Sequence, residues 1–117
     1  MAYDELLYKR IIAILEIFPD SVSRHFKVKN MFGGVAFLYK GKMTVGVVKK
    51  DLMVRVVPEK MPGILEETYI RAMDFTSKPM KEFIFVAPGG IENESELHRF
   101  VELGLEHARS KLNEVQN

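Results

Sequence analysis

The sequence predicts an α+β domain: a helix, a mainly antiparallel sheet of about six strands, a short helix, and a C-terminal helix. Three observations carry this. Val-rich runs in the middle of the chain are separated by tight turns, as in an antiparallel meander. Clear helical periodicity is confined to the two ends. And 117 residues, 47% of them apolar, suit one domain with one core.

Residues 4–18 place Leu7, Ile11, Ile14, Leu15 and Phe18 at helical spacing, with Asp4 and Glu5 in the first turn. Acids there complement the positive end of the helix dipole. Pro19 ends the helix, because the residue before a proline is pushed out of helical dihedrals. Strands follow at 26–31, 35–39, 43–48 and 52–57, divided by Gly33-Gly34, Lys40-Gly41-Lys42 and Lys49-Lys50-Asp51. Pro58 closes the meander. Residues 59–69 read as a short helix containing Pro62-Gly63, and 70–75 and 83–87 as two further strands. Pro88-Gly89-Gly90 is a break. The last helix opens with Asn93 as cap and Glu96 three residues on as a capping box. Leu97, Val101, Leu105, Ala108 and Leu112 form its apolar stripe, with Phe100 beside it.

A sheet with one wet face alternates cleanly. This one does not. Val35, Phe37 and Tyr39 oppose the equally apolar Ala36 and Leu38; Met53 and Val57 flank Arg55 opposite Leu52, Val54 and Val56; Phe83 and Phe85 oppose Ile84 and Val86. Both faces therefore need cover, either within one chain or from a second copy in a homodimer.

Composition removes several function classes. There is no Cys, so disulfides, thiolate nucleophiles and Cys-based zinc sites are out. Seventeen Lys and Arg against sixteen Asp and Glu give no global polyanion-binding charge. The acidic start, residues 1–5, is unlike a basic export signal, and no apolar run reaches the ~20 residues of a membrane span. The expected location is the cytoplasm, away from the membrane.

The segments Met31-Phe32-Gly33-Gly34-Val35-Ala36-Phe37, Gly41-Lys42-Met43, Asp51-Leu52-Met53-Val54-Arg55-Val56, Met73-Asp74-Phe75-Thr76 and Pro79-Met80-Lys81, with the last helix over 100–108, resemble the TfoX N-terminal domain family. That domain belongs to the TfoX/Sxy regulators of bacterial competence. The resemblance covers most of 28–108 and is that of a stand-alone N-terminal module, without the regulators' second domain. It implies a curved antiparallel sheet with flanking helices, similar to type III secretion chaperones. It also implies a role in transcriptional activation through protein contacts, and it brings no catalytic residues. Asn30, where the family often has a basic residue, and Glu82, where a small one is common, depart from the pattern. YjbR-like proteins are a second comparison at the level of fold, without the Met-Phe-Gly-Gly motif.

Individual motifs add little chemistry. Gly33-Gly34 lacks the following Lys-Ser/Thr and the strand-to-helix step of a phosphate loop, so it reads as a bend more than a ligand contact. His25, His98 and His107 share no metal-ligand spacing, and His98 and His107 fall on different faces of the last helix. They read as exposed or partly buried helix residues. Glu92, Glu94 and Glu96 suit a helix start. Ser21, Ser23 and Thr76 have no flanking nucleophile motif. No catalytic residue, cofactor or metal is expected.

Charge is uneven, however. Residues 24–60 carry Arg24, Lys27, Lys29, Lys40, Lys42, Lys49, Lys50, Arg55 and Lys60 against only Asp51 and Glu59. Lysines at hairpin tips and sheet edges block unwanted strand pairing; the functional alternative is attraction to an acidic partner or to phosphates. Arg55, in mid-strand, needs a partner if buried, and Asp74 is the expected one, as a structural pair or beside an anion site. Candidate interaction residues are therefore Lys29, Phe32, Gly33, Gly34, Lys40, Lys42, Arg55, Asp74, Lys78 and Lys81.

Three functions follow in order of support. The first is a non-enzymatic regulatory module contacting a protein partner such as transcriptional machinery. The second is nucleic-acid binding through the basic hairpin tips. The third is a ligand pocket or enzyme site where Gly33-Gly34, Arg55 and residues 78–81 converge.

Overall fold

The computed structural model describes residues 3–31, 33–74 and 79–113, with the side chains of 73, 74 and 79–81 left out. Asp4 starts the first helix, α1 (Glu5–Ile17): its Oδ1 accepts from the backbone N–H of Leu6 at 2.9 Å and of Leu7 at 3.1 Å. Pro19 stops α1 as expected. It then opens a single turn, α2 (Asp20–Ser23), that has too few residues for any periodicity to show.

Six strands follow: β1 (Phe26–Met31), β2 (Gly34–Tyr39), β3 (Lys42–Val48), β4 (Asp51–Arg55), β5 (Ile70–Asp74) and β6 (Pro79–Val86). They form one curved sheet in the order β1-β2-β3-β4-β6-β5, every neighbouring pair antiparallel. The short helix expected over 59–69 is smaller. A 3₁₀ turn over Pro58–Lys60 leads into one helical turn, α3 (Met61–Ile64). Pro62 lies in its first turn, where a missing N–H costs nothing. β6 begins four residues earlier than its apolar pattern, because Pro79 to Glu82 carry no period-two signal.

The last helix, α4 (Glu94–Lys111), is capped by Asn93, whose Oδ1 accepts from the N–H of Glu96 at 2.9 Å. The reciprocal half of the expected capping box is replaced: the Glu96 carboxylate accepts from Arg99 at 3.0 Å. The helix lies over β3 because Gly104 permits it. A Cβ there would sit 2.5 Å from the Thr44 carbonyl oxygen.

Both faces of the sheet are apolar, as their patterns predict. On one, Val35, Phe37, Val45, Val47, Leu52, Val54, Ile84 and Val86 pack with Leu7, Ile11, Ile14 and Leu15 of α1 and Leu97, Phe100 and Val101 of α4. On the other, Ala36, Met43, Met53, Phe83 and Phe85 form a smaller cluster. All five are buried within one chain. Arginines finish this face: the Arg55 guanidinium lies 5.2 Å from the Phe83 ring centre and Arg71 4.8 Å from that of Phe85. Among the described residues no helix is long and apolar enough to cross a membrane.

Candidate interaction surface

Strand direction sorts the candidate residues into two groups. β2 and β4 run one way, β1, β3 and β6 the other. The turn at Gly33 and the turn at Lys49-Lys50 therefore lie at one end of the sheet. The Lys40-Gly41 turn, Arg55 and the start of β6 lie at the opposite end. A pocket uniting Gly33-Gly34 with Arg55 is excluded by this topology. Gly33 makes the turn with φ +72°, and Gly34 sits against the Val47 backbone with no room for a Cβ, which is the bend reading of that pair. Lys29 is exposed in the middle of β1. Phe32 and Lys78 lie outside the described residues, and so do the side chains of Asp74 and Lys81. The backbone of Asp74 ends β5, and β6 runs between β5 and the β4 strand of Arg55.

At the Arg55 end the structure assembles a charged group that sequence reasoning missed. Glu82 takes a positive φ of 70° in β6, and its carbonyl accepts from the N–H of Val56 at 2.8 Å. Its carboxylate meets Nε2 of His107 on α4 at 2.6 Å. Lys111 Nζ, one turn further along α4, lies 3.8 Å from the same oxygen. His107 is 1% exposed, and its Nδ1 has no hydrogen-bond partner. The Nε of Arg55 is likewise buried without one.

These contacts fix the charges. Burial pushes the His107 imidazole below its ordinary range, against the pull of the Glu82 hydrogen bond, while the positive charges of Arg55 and Lys111 push it further down. The His107 hydrogen bond holds the Glu82 carboxyl below the usual carboxylate range, against burial. The consistent state is a neutral imidazole donating from Nε2 to a carboxylate, with a bare lone pair on Nδ1. With His107 buried and its Nε2 bonded to Glu82, the pair has the geometry of a strap between helix and sheet. One sequence signal was available: His107 is seven residues after Phe100 and three after Gly104, which puts it on the buried stripe of α4.

The same end carries the β2–β3 turn. Lys40 (φ 50°) and Gly41 (φ 84°) form it, and the Lys40 N–H donates to the His25 carbonyl at 3.0 Å. The Lys40 ammonium and the Arg109 guanidinium lie 5.3 and 5.8 Å from the ring centre of the buried Tyr39. Lys42 is exposed beside them. The basic tips thus form no single patch, since Lys49 and Lys50 point from the far end. Among the described residues no three His, Asp or Glu side chains gather to hold a metal ion.

Comparison with known proteins adds one finding: a family model described as the TfoX N-terminal domain matches residues 21–108. That span runs from α2 to α4 and includes every strand, Glu82 and His107. No curated protein and no solved structure matches the chain.

Proposed function

Because the chain belongs to the TfoX N-terminal domain family, we propose that it is a non-enzymatic, cytoplasmic regulatory module that acts by touching a protein partner of the transcriptional machinery governing competence genes. The family match over 21–108 is the observation that carries this reading. The burial of His107 agrees with it, since a strap closed to solvent does no acid–base work on a substrate. The test is transcription from a competence promoter in cells with and without the chain, paired with crosslinking to purified RNA polymerase and its activator. The expected result is a higher transcript level and a crosslinked complex. Unchanged transcription with no complex overturns the proposal.

A second reading has one observation in its favour: exposed Lys40 and Lys42 share an end of the sheet with Arg109 and Lys111. That arrangement suits a phosphate backbone. Binding to duplex DNA or RNA would then weaken steeply as salt rises, because each neutralised phosphate releases counterions. Absent or salt-insensitive binding at low salt removes it.

A further inference from the structure

β1 ends the sheet, and it is an unusually open end. Its six residues pair with β2 in unbroken register, from Phe26 opposite Tyr39 to Met31 opposite Gly34. Residues 27–30 are all exposed. A regular edge of this length presents unpaired N–H and C=O groups that invite another strand. Its register has no bulge, and among the described residues Lys27 and Lys29 are the charged side chains along it.

Alternation decides what an added strand would meet. Phe26 and Val28 share the face of Phe37, on the side of α1. There a groove of about 370 Å³ runs between β1 and the α1–α2 corner. Ile12, Leu15, Phe26, Val28 and Phe37 are the apolar half of its lining, and Glu16, Asp20, Ser23, Arg24 and Lys27 the polar half, so acidic side chains are disfavoured inside it and suit the other face. Val28 is 46% exposed beside it. Lys27 and Lys29 point to the opposite face, and among the described residues neither has an ion-pair partner.

We propose that β1 is a docking edge for an extended segment of a partner protein in which apolar residues alternate with acidic ones. The apolar side chains enter the groove beside Val28, the acidic ones meet Lys27 and Lys29, and the backbone pairs with the open side of β1. This deepens the protein-contact reading above and rests on it. A second copy of the chain fits worse. Two-fold antiparallel pairing of β1 with itself, centred on Val28, sets Lys27 against Lys29. Centred on either lysine, it sets that lysine against its own copy. Like charges directly opposite each other destabilise a strand pair. The lysines that repel a twin therefore select an acidic strand.

The probe is a capped synthetic peptide of roughly nine alternating Val and Glu residues, enough to span β1 at ~3.3 Å per residue. Its controls are the same composition in scrambled order and a Val/Lys alternation. Affinity is read by fluorescence anisotropy and location by backbone amide exchange. The alternating acidic peptide is expected to protect amides within 26–31. The double variant Lys27→Glu/Lys29→Glu, at exposed positions that leave the core intact, is expected to weaken it about tenfold or more and to accept the Val/Lys peptide instead. Equal affinity for the scrambled peptide, indifference to the charge reversal, or protection elsewhere overturns the proposal. So does displacement of the peptide by duplex DNA without β1 protection, which would assign the lysines to phosphates. In the promoter assay, full activity of the double variant defeats the docking edge and leaves the regulatory reading standing; an inactive wild-type chain defeats that reading, whatever the peptide does.

Discussion

His107 and Glu82 make stability pH-dependent in one direction. His107 has its folded-state pKa below its unfolded value, so its contribution is complete above the unfolded pKa of ~6.5 and is lost as pH falls through the folded value. Glu82 is also depressed, and its contribution is complete above its ordinary carboxylate value and lost on further acidification. Both losses lie on the acid side. The thermal midpoint should therefore fall progressively from pH 7.5 to pH 4, and His107→Gln, which keeps a donor for Glu82 but cannot ionise, should flatten the upper part of that fall. Parallel profiles would refute the assignment. His107→Ala at pH 7 should cost about 2–3 kcal/mol in a urea titration, since it leaves a cavity and a carboxylate without its donor. Gly104 sets two effects against each other. Alanine gains about 1 kcal/mol of helix propensity. Its Cβ must also displace the backbone of a central strand from 2.5 Å, and overpacking of that kind costs about 1–3 kcal/mol. Backbone in mid-sheet cannot turn aside as a side chain does, so Gly104→Ala should lower the urea midpoint.

At the scale of elements, α1 depends on its cap more than α4 does. Asp4 satisfies two N–H groups of a 13-residue helix, while α4 has 18 residues and basic Arg109 and Lys111 in its last turn. Asp4→Ala should cost about 1 kcal/mol, and Asn93→Ala no more than that, both read from urea midpoints. The elements that were legible in the sequence are those whose signal is local. The strands β2 to β4 are legible as apolar runs between short turns, β1 by its place before the Gly33-Gly34 break, and α1 and α4 by apolar periodicity. α2 and α3 are single turns, too short for a period to exist. The start of β6 is not legible because Pro79 to Glu82 carry no period-two signal, and the positive φ at which Glu82 bends the strand leaves no mark in the sequence. The same bend positions the carboxylate for a helix residue 25 positions away. Neither half of that strap carries a motif, so it is visible only once α4 is laid on the sheet.

For the whole molecule, the apolar pattern on both sides of the sheet was correctly legible, but its consequence was open. Cover could have come from a twin subunit. The structure buries Ala36, Met43, Met53, Phe83 and Phe85 within one chain and places Arg55 and Arg71 over the two aromatic rings, so these five side chains have their cover without a second copy. The separation of Gly33 from Arg55 was illegible for a related reason: sequence order says nothing of which end of the sheet a turn occupies until the strand count between them is known. Among the described residues, the large apolar side chains that stay exposed are scattered, with Leu6 and Ile17 at the two ends of α1, Leu65 and Tyr69 near α3, and Val28 on β1. Isolated residues of this kind do not make an isologous interface, which needs a contiguous patch, and the β1 edge meets its own copy lysine to lysine. Light scattering at micromolar concentration should therefore give the mass of one chain, at low salt above all, where repulsion between the edge lysines is least screened. If raising the salt produced a dimer in which the backbone amides of 26–31 became protected from exchange, β1 would be pairing with itself once its charges are masked; a dimer that left those amides unprotected would place the interface elsewhere.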